Sequence, residues 1–399
     1  MSTERVAPTF SLIALAVIAT ACVSASALAA EVVFRPYLSF GVLHDGNVQV
    51  VGSGRGDDAA ELAIELAVDR ITPQSRLSFA YRPSYRKYRT DSALDSFGNA
   101  VVLNYTREPS RRTKTTVNFD ATRSDVQGIQ DYNTDRPVTF VPRTTTYRFA
   151  GDAGGTVGLA RRNLVDWDVR LQSDRYSRRA TTTLQDSSSI GALGGWRYEA
   201  SEKSTLGLAV RLDWFIYARN TTPPRSDIVS ETLAFVGTQA TGRTTELDYG
   251  AGASFSASAG RTLTNPTFYF SVKSKRSETM TIDAGVRQAV GAGPGVGGGS
   301  LDRGAWIAFA RVPGQRGLQA SAYAGYWFRT ALAFDPQQAS AEIRTADVTG
   351  TVGWTFNRYV SLNAAYAFVD QKSAASAAPN SDTNYSSYGV YVRWAIRGR

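Results

Sequence analysis

The 399-residue sequence contains a single cysteine, Cys22. It lies in an N-terminal segment that we expect to be removed, so the mature chain has no thiol. Such a chain forms neither disulfides nor cysteine-ligated metal sites. We therefore expect the protein to hold no metal ion and no cofactor.

Long hydrophobic runs are missing from most of the chain. Beyond the N-terminus, no stretch approaches the roughly 18 consecutive apolar residues of a membrane-spanning helix. The mean hydropathy of −0.23 also excludes a membrane protein built of helices. No segment combines helix caps with an apolar period of about 3.6 residues.

The N-terminus has the layout of a secretory signal peptide. Arg5 precedes an apolar run at 10–19, which is too short for a membrane-spanning helix, and small residues follow at 24–30. Ala27-Leu28-Ala29 supplies a cleavage signal. We predict a signal peptide over residues 1–30 and a mature domain over 31–399. An uncleaved anchor is disfavoured because no basic stop-transfer flank follows, and cleavage after Ala29 would discard the cysteine that a lipoprotein needs.

The mature chain is dominated by an apolar alternation of period two, which predicts β-strands. Residues 164–173 show it most clearly, and 61–69, 205–217 and 360–368 repeat it. In the first of these segments one face carries Val165, Trp167, Val169 and Leu171, and the other carries Asp166, Asp168, Arg170 and Gln172. A soluble β-sandwich also alternates, because one face of each sheet is wet.

Three features favour a membrane barrel over a sandwich. The alternating segments run to about 10 to 14 residues, enough for a tilted strand to cross a bilayer. Short polar turns at 72–75, 109–112, 161–163, 201–203 and 313–316 are separated by longer connections, which include the glycine tract 291–299. Aromatic residues that we expect in two interfacial girdles lie near strand ends: Tyr85, Tyr88, Trp214, Tyr217, Tyr326, Trp327, Phe328, Trp354 and Phe356.

The predicted fold class is all-β, a single closed antiparallel transmembrane β-barrel of 16 to 18 strands, with 18 preferred. The uncertainty lies between residues 230 and 290. Segment 233–239 could belong to an external loop, and 267–288 could be one long bent strand. Either change reduces the number of strands. The location that this fold implies is the bacterial outer membrane.

The charged face of each strand predicts the residues of the lumen, because an Arg or Lys facing lipid at the midplane costs about 2 to 4 kcal/mol. Acidic and basic residues nearly balance there. The candidate pore-lining residues are Arg35, Arg82, Arg86, Asp120, Asp166, Asp168, Arg170, Arg211, Asp213, Arg287, Asp347 and Arg393. The basic residues follow the strand period, so we expect no nucleic-acid partner.

Catalytic constellations are nearly absent, and we expect no enzymatic activity. The lone histidine, His44, follows the first strand and precedes Asp45. An outer-membrane hydrolase would have to use it, and this alternative stays open. The more ordinary interpretation is a solvated loop histidine.

The last segment has the alternation of a C-terminal assembly signal. Tyr388, Val390, Val392 and Trp394 share one face, although the chain continues past the aromatic residue on which such signals usually end. We expect this strand to engage the barrel-assembly machinery, and the apolar faces to contact outer-membrane lipid.

The mature chain resembles the outer-membrane β-barrel porin family associated with bacterial exopolysaccharide operons and exosortase-linked surface systems. The resemblance rests on Phe34-Arg35-Pro36-Tyr37-Leu38-Ser39, on Asp45-Gly46-Asn47, and on the hairpin that runs from Leu77 to Tyr88. It implies a passive conduit for a polysaccharide or small solutes, with a polysaccharide and a periplasmic export protein as partners.

The favoured function is therefore an outer-membrane channel. A non-conducting structural or adhesin barrel is the first alternative, and the His44-dependent hydrolase is the second. Whether a loop such as 127–143 folds inward as a plug stays open.

Overall fold

The computed structural model describes residues 30–47, 55–124, 145–177, 186–217, 226–277, 279–293, 298–312, 317–332, 334, 342–373 and 382–396. Residues 1–29 of the predicted signal peptide, loop 127–143 and turn 313–316 lie outside these ranges. Within them, no helix has both the length and the apolar character that spanning a membrane would require.

The described chain is a succession of long strands with one 3-10 turn at Ser92–Leu94. The strands are β1 Glu31–Asp45, β2 Asp57–Ile71, β3 Ser75–Tyr88, β4 Ser96–Ser110, β5 Thr113–Ser124, β6 Thr146–Ala160, β7 Asn163–Tyr176, β8 Ser187–Ser201, β9 Ser204–Tyr217, β10 Ile228–Thr241, β11 Thr245–Ser258, β12 Arg261–Ser277, β13 Met280–Gly293, β14 Gly298–Arg311, β15 Gly317–Ala331, β16 Glu342–Thr355, β17 Val360–Ser373 and β18 Thr383–Ala395. Their lengths of 12 to 17 residues suit tilted membrane crossings.

The 18 strands form one closed antiparallel sheet. Each strand pairs with its neighbours in sequence, and β1 closes the barrel against β18 from Tyr37↔Ala395 to Asp45↔Ser387. The preferred strand number is confirmed. The 16-strand alternative is wrong because 233–239 lies within β10 and 267–288 is divided between β12 and β13.

The barrel has two distinct ends. At the turn end, connections are the short segments 72–74, 111–112, 161–162, 202–203, 242–244, 278–279, 312–316 and 356–359. The loop end carries the longer connections, for example 46–56 and 125–145. Two of its connections are nevertheless short, 259–260 and 294–297. The prediction of a long glycine loop over 291–299 is therefore wrong in extent, because β13 includes 291–293 and β14 includes 298–299.

Side chains alternate between a convex outer face and the lumen. The outer face exposes large apolar residues such as Leu171, Val210 and Trp394. In a closed barrel with no free sheet edge, this apolar face is the one that meets lipid, and the protein is an outer-membrane β-barrel.

Three residues predicted for the aromatic girdles face the lumen instead. Tyr88, Tyr217 and Trp327 are buried on the inner face. Successive side chains of a strand point to opposite faces. Each of these three residues lies one or three positions from an outward-facing aromatic residue of the same strand, so it must point inward. Trp327, for example, follows the outward-facing Tyr326 directly.

Several inward rings lie over a glycine on the neighbouring strand. Gly41 pairs with Tyr391, and Gly304 pairs with Trp327. A Cβ atom built on either glycine would lie 2.2 Å from the ring of its partner. The absence of a side chain at these positions is what lets the rings lie flat against the wall.

Candidate functional site: the barrel lumen

All twelve predicted pore-lining residues lie at positions of the inner parity of their strands, opposite the exposed apolar residues. The structure does not gather them into one site. It distributes most of them among separate ion pairs and clusters around the wall. Some are completed by partners that were not among the twelve, as Asp166 is by Arg197, and others pair two predicted residues, as Arg170 and Asp168 do. Their role in lining an open pore stays a prediction.

The most buried cluster joins β1, β2, β3 and β18 near the loop end. Arg86 donates to Glu61 Oε2 from Nη2 at 2.7 Å and to Asp45 Oδ2 from Nη1 at 3.2 Å. Asp45, only 1% exposed, also accepts hydrogen bonds from the Tyr88 hydroxyl at 2.6 Å and the Tyr385 hydroxyl at 2.8 Å. A buried carboxylate with this many donors is well satisfied. We call these five residues the Asp45 cluster.

A second cluster, closer to the turn end, is more open to water. Glu65 accepts from Arg82 Nε at 3.0 Å and lies 3.6 Å from Arg393 Nη2. The two arginine side chains are 50% and 43% exposed. The Arg393 guanidinium also lies 4.0 Å from the ring centre of Tyr37, a cation–π geometry. Farther toward the turn end, Arg35 pairs with Asp69.

The wall formed by β5 to β9 carries most of the predicted acidic residues. Asp166 is held by Arg197, whose Nη2 donates to Oδ1 at 2.6 Å. Arg170 pairs with Asp168 at 2.5 Å. Two further members of this wall have local partners: Arg211 donates to Asp213 at 2.7 Å, and Asp120 accepts from Thr122 at 2.9 Å. Most of these contacts cross one strand or join residues two apart, as the pleat allows.

Asp347 differs from the other predicted residues. It is fully buried in β16, and neither carboxylate oxygen has a hydrogen-bond partner among the described residues. It lies beside Gly325, where an added Cβ atom would be 2.7 Å from Asp347 Oδ1. An unpaired charge at such a place is costly, and Asp347 is packed into the wall in this structure.

An aromatic cluster near Asp347 was not predicted. The rings of Trp306 and Trp327 stack with their centres 5.9 Å apart, and Trp327 Nε1 donates to the Tyr323 hydroxyl at 3.2 Å. All three side chains face the lumen and are buried. The alternation of inward and outward positions along β14 and β15 could have predicted this cluster. Three consecutive aromatic residues at 326–328 conceal that alternation in β15.

The lumen is tightly packed near the loop end, whereas several charged inner-face side chains farther from that end, such as Arg393, are exposed to water. Inner-face residues near the loop end are almost inaccessible to solvent, for example Ser256, Val369 and Asp45. The loop-end residues Val290, Gly291, Gly299 and Ser300 of the β13–β14 hairpin, which we call its tip, contribute to this closure. Val290 packs against a cluster of Phe215, Tyr217 and Ile228 on the inner face of β9 and β10, as does Phe334.

His44 lies on the outer face, away from the lumen. Its Nδ1 atom is 2.8 Å from Asp58 Oδ1, and its ring stacks on Tyr388 with centres 5.1 Å apart. Across the described ranges, no three His, Cys, Asp or Glu side chains are grouped so that they could hold a metal ion.

Comparison with known proteins yields likenesses of fold alone. No family model and no curated protein matches the chain. Among solved structures, the siderophore receptor PirA from Pseudomonas aeruginosa is similar with a TM-score of 0.44 and 11% identity, covering 92% of this chain and 81% of that chain. P. aeruginosa OccK2 (OpdF), in complex with glucuronate, has a TM-score of 0.43 and 12% identity, covering 92% and 98%. At these values the likenesses carry no argument about what this chain transports.

The Asp45 cluster predicts an unequal cost for two arginine truncations. Arg86→Ala leaves Asp45 and Glu61 without their guanidinium partner, and breaking a buried ion pair costs about 3 to 5 kcal/mol. Arg82→Ala is the matched control. The Arg82 side chain is half exposed in its ion pair with Glu65, and such an exposed pair contributes about 1 kcal/mol or less to stability. Urea unfolding of the refolded barrels in lipid vesicles measures both. Equal losses in the two variants would contradict the assignment of the Asp45 cluster as buried.

Proposed function

We propose that the barrel is a passive channel for polar solutes. The observation that carries this proposal is the water exposure of charged inner-face side chains from the middle of the barrel toward the turn end. Arg82, Arg393 and Lys273 each expose about half of their side chain. In a barrel filled by its own side chains these groups would be buried, so their exposure supports an aqueous lumen.

The pairing of the inner charges supports weak ion selectivity. Each exposed arginine of the second cluster faces Glu65, and in β7 Arg170 faces Asp168. Neighbouring charges of opposite sign cancel at a distance, and salt screens what remains beyond about 8 to 10 Å. Neither sign of ion then meets a strong net field.

We further propose carbohydrate as the transported class, in line with the family resemblance. Tyr37, Tyr269 and Tyr391 lie on the inner face and are only partly buried. Tyrosine rings offer stacking surfaces to sugar rings, and the neighbouring Arg393 and Glu65 offer hydrogen bonds to hydroxyl groups. A polysaccharide and a periplasmic export protein are the partners that this proposal implies.

The tight packing near the loop end determines where a solute can enter and leave the barrel in this proposal. Solute enters the wide, charged region from the turn end, which faces the periplasm in barrels with short periplasmic turns. It leaves only where the packing of the β13–β14 tip against Phe215 and Ile228 leaves room or gives way. We therefore expect small or intermittent conductance.

Two alternative functions require different properties of the barrel. A non-conducting adhesin barrel would keep the loop-end closure permanently. A hydrolase would have to act at the outer face, where His44 is paired with Asp58. We favour no enzymatic activity because no described feature beyond this pair assembles a catalytic group. For assembly, we propose that the outward row of β18, which ends at Trp394, engages the barrel-assembly machinery.

The channel proposal predicts that removing the basic residues and removing the acidic residue of the cluster around Glu65 shift ion selectivity in opposite directions. The wild-type protein in planar bilayers should show conductance steps with mild selectivity. Replacing Arg82 and Arg393 together with Gln leaves Glu65 unopposed and should shift permeability toward cations. Glu65→Gln leaves both arginines and should shift it toward anions, most clearly at low salt. Reversal potentials in a salt gradient measure the shifts. A silent wild type, or shifts in the same direction, would contradict an aqueous path past Glu65.

The carbohydrate proposal predicts a separate cellular effect. Deleting the gene should reduce polysaccharide at the cell surface while the polymer accumulates in the periplasm, because its exit is blocked. Quantifying glycan in periplasmic and surface fractions tests this. A conducting channel whose deletion leaves both fractions normal would retain the channel function and remove the polysaccharide as its substrate.

A further inference from the structure

The seam between β12 and β13 is paired over only part of the two strands. Their ladder covers Phe268↔Gln288 to Ser277↔Met280, while residues 261–267 of β12 pair only with β11 and 289–293 of β13 pair only with β14. Above Phe268 the β13–β14 hairpin leaves the line of the wall. Its tip lies inside the lumen, where a Cβ atom on Gly299 would be 2.9 Å from Ile228 Cδ1.

Pro266 gives a local reason for the end of this ladder. Successive residues of an antiparallel strand direct their N–H groups to opposite neighbours, and proline has none to give. The ladder with β11 runs unbroken through Ala253↔Pro266, so the missing donor is one that would have faced β13. The Pro266 carbonyl is satisfied by Gln288 Nε2 at 2.6 Å.

The inward bend leaves a hollow on the outer side of the wall. A cavity of about 520 Å³ lies there, spanning β12 to β16. Its apolar lining includes Phe268, Val286 and Tyr326, all exposed on the lipid-facing surface. Its charged lining residues are Arg303, Arg344 and Glu342, together with Arg287, whose position in β13 has inner parity. We call this cavity the outer groove.

The two outer-face arginines lie in one cross-strand row. Arg303 pairs with Phe328, which in turn pairs with Arg344. The row lies near the loop end, two residues closer to that end than the row of Ala305 and Tyr326. That depth is typical of the membrane interface. An outward-facing arginine there destabilises the barrel by only about 0 to 1 kcal/mol, which is less than at the bilayer midplane.

The groove carries excess positive charge. Arg344 Nε donates to Glu342 at 2.6 Å, and its guanidinium lies 5.7 Å from the ring centre of Phe328. Arg303 has no such acidic partner in the described part of the chain, where its hydrogen bond goes to the Thr330 hydroxyl at 3.2 Å. The two arginines at outer-face positions thus share one carboxylate, Glu342, beside an apolar surface.

We propose that the outer groove binds a phosphate-bearing, multiply acylated glycolipid of the outer leaflet, the chemistry of lipid A. Arg303 and Arg344 would bind a phosphate group through their planar donor pairs, which suit phosphate oxygens better than an ammonium group does. Phe268, Val286 and Tyr326 would pack against an acyl chain on the membrane side of the arginine row. The loop end faces the cell exterior in barrels of this connection pattern, so the outer leaflet supplies the ligand.

The test measures lipid binding to the full barrel in detergent by native mass spectrometry, and it does not depend on conduction. The probe is bis-phosphorylated lipid A, compared with the same lipid after removal of its phosphates and with phosphatidylglycerol. The variant is Arg303→Ala with Arg344→Ala. Its control is Lys87→Ala with Arg89→Ala, which removes the same two charges from the loop end at β3, away from the groove. Resistance of the folded barrel to unfolding on a gel confirms that both variants are intact.

We expect lipid A to bind the groove variant about tenfold or more weakly and the control unchanged. Lipid A without phosphates should bind the native barrel as weakly as the intact lipid binds the groove variant. Replacing both arginines with Lys should restore only part of the binding. Unchanged binding in the groove variant, or equal binding of the dephosphorylated lipid, would overturn the phosphate site. Equal binding of phosphatidylglycerol would overturn the assignment to an outer-leaflet glycolipid.

Discussion

The structure depends on the requirement that every backbone N–H and C=O group in lipid finds a partner within the protein. Eighteen strands meet this requirement by closing β18 onto β1. One place where the ladder stops early is the β12–β13 seam, next to a proline that cannot donate. That interruption has consequences on both faces of the wall. Inside, the bent β13–β14 tip helps to close the lumen, and outside it leaves the groove.

The second constraint is that charged side chains must avoid the lipid-facing surface at the membrane midplane. An outward charge costs free energy at the membrane midplane, so charged residues concentrate on the inner face and at the interfaces. Inside the barrel they pair across strands, as Arg86 does with Glu61 and Asp45. Burial then separates two kinds of pair. The Asp45 cluster stabilises the closed loop end, while the exposed cluster around Glu65 lies in the region open to water.

Much of the fold was predictable because period two is a direct consequence of strand geometry. The faces of 164–173 followed from it at once. The region 267–288 was ambiguous because the connection between β12 and β13 contains no glycine or proline to mark a turn. The partners in the lumen were not predictable, because they follow from strand register: Arg86 meets Glu61 only because the two residues pair directly in the β2–β3 ladder. Trp327 was misassigned because aromatic residues flank it on both sides.

The central claim is that one wall of the lumen is wet toward the turn end and sealed toward the loop end. In β16, Thr351 and Thr345 both have inner parity and lie six residues apart, or roughly 20 Å along the strand, with Thr351 exposed and Thr345 buried. Single cysteines at these two positions, in a chain whose native Cys22 lies in the predicted signal peptide, can be reacted with a charged, water-soluble thiol reagent in the folded barrel. The account predicts fast modification of Thr351→Cys and modification of Thr345→Cys that is slower by at least about tenfold. Equal and fast rates at both positions would contradict a sealed loop end, and equal and slow rates would contradict a wet lumen.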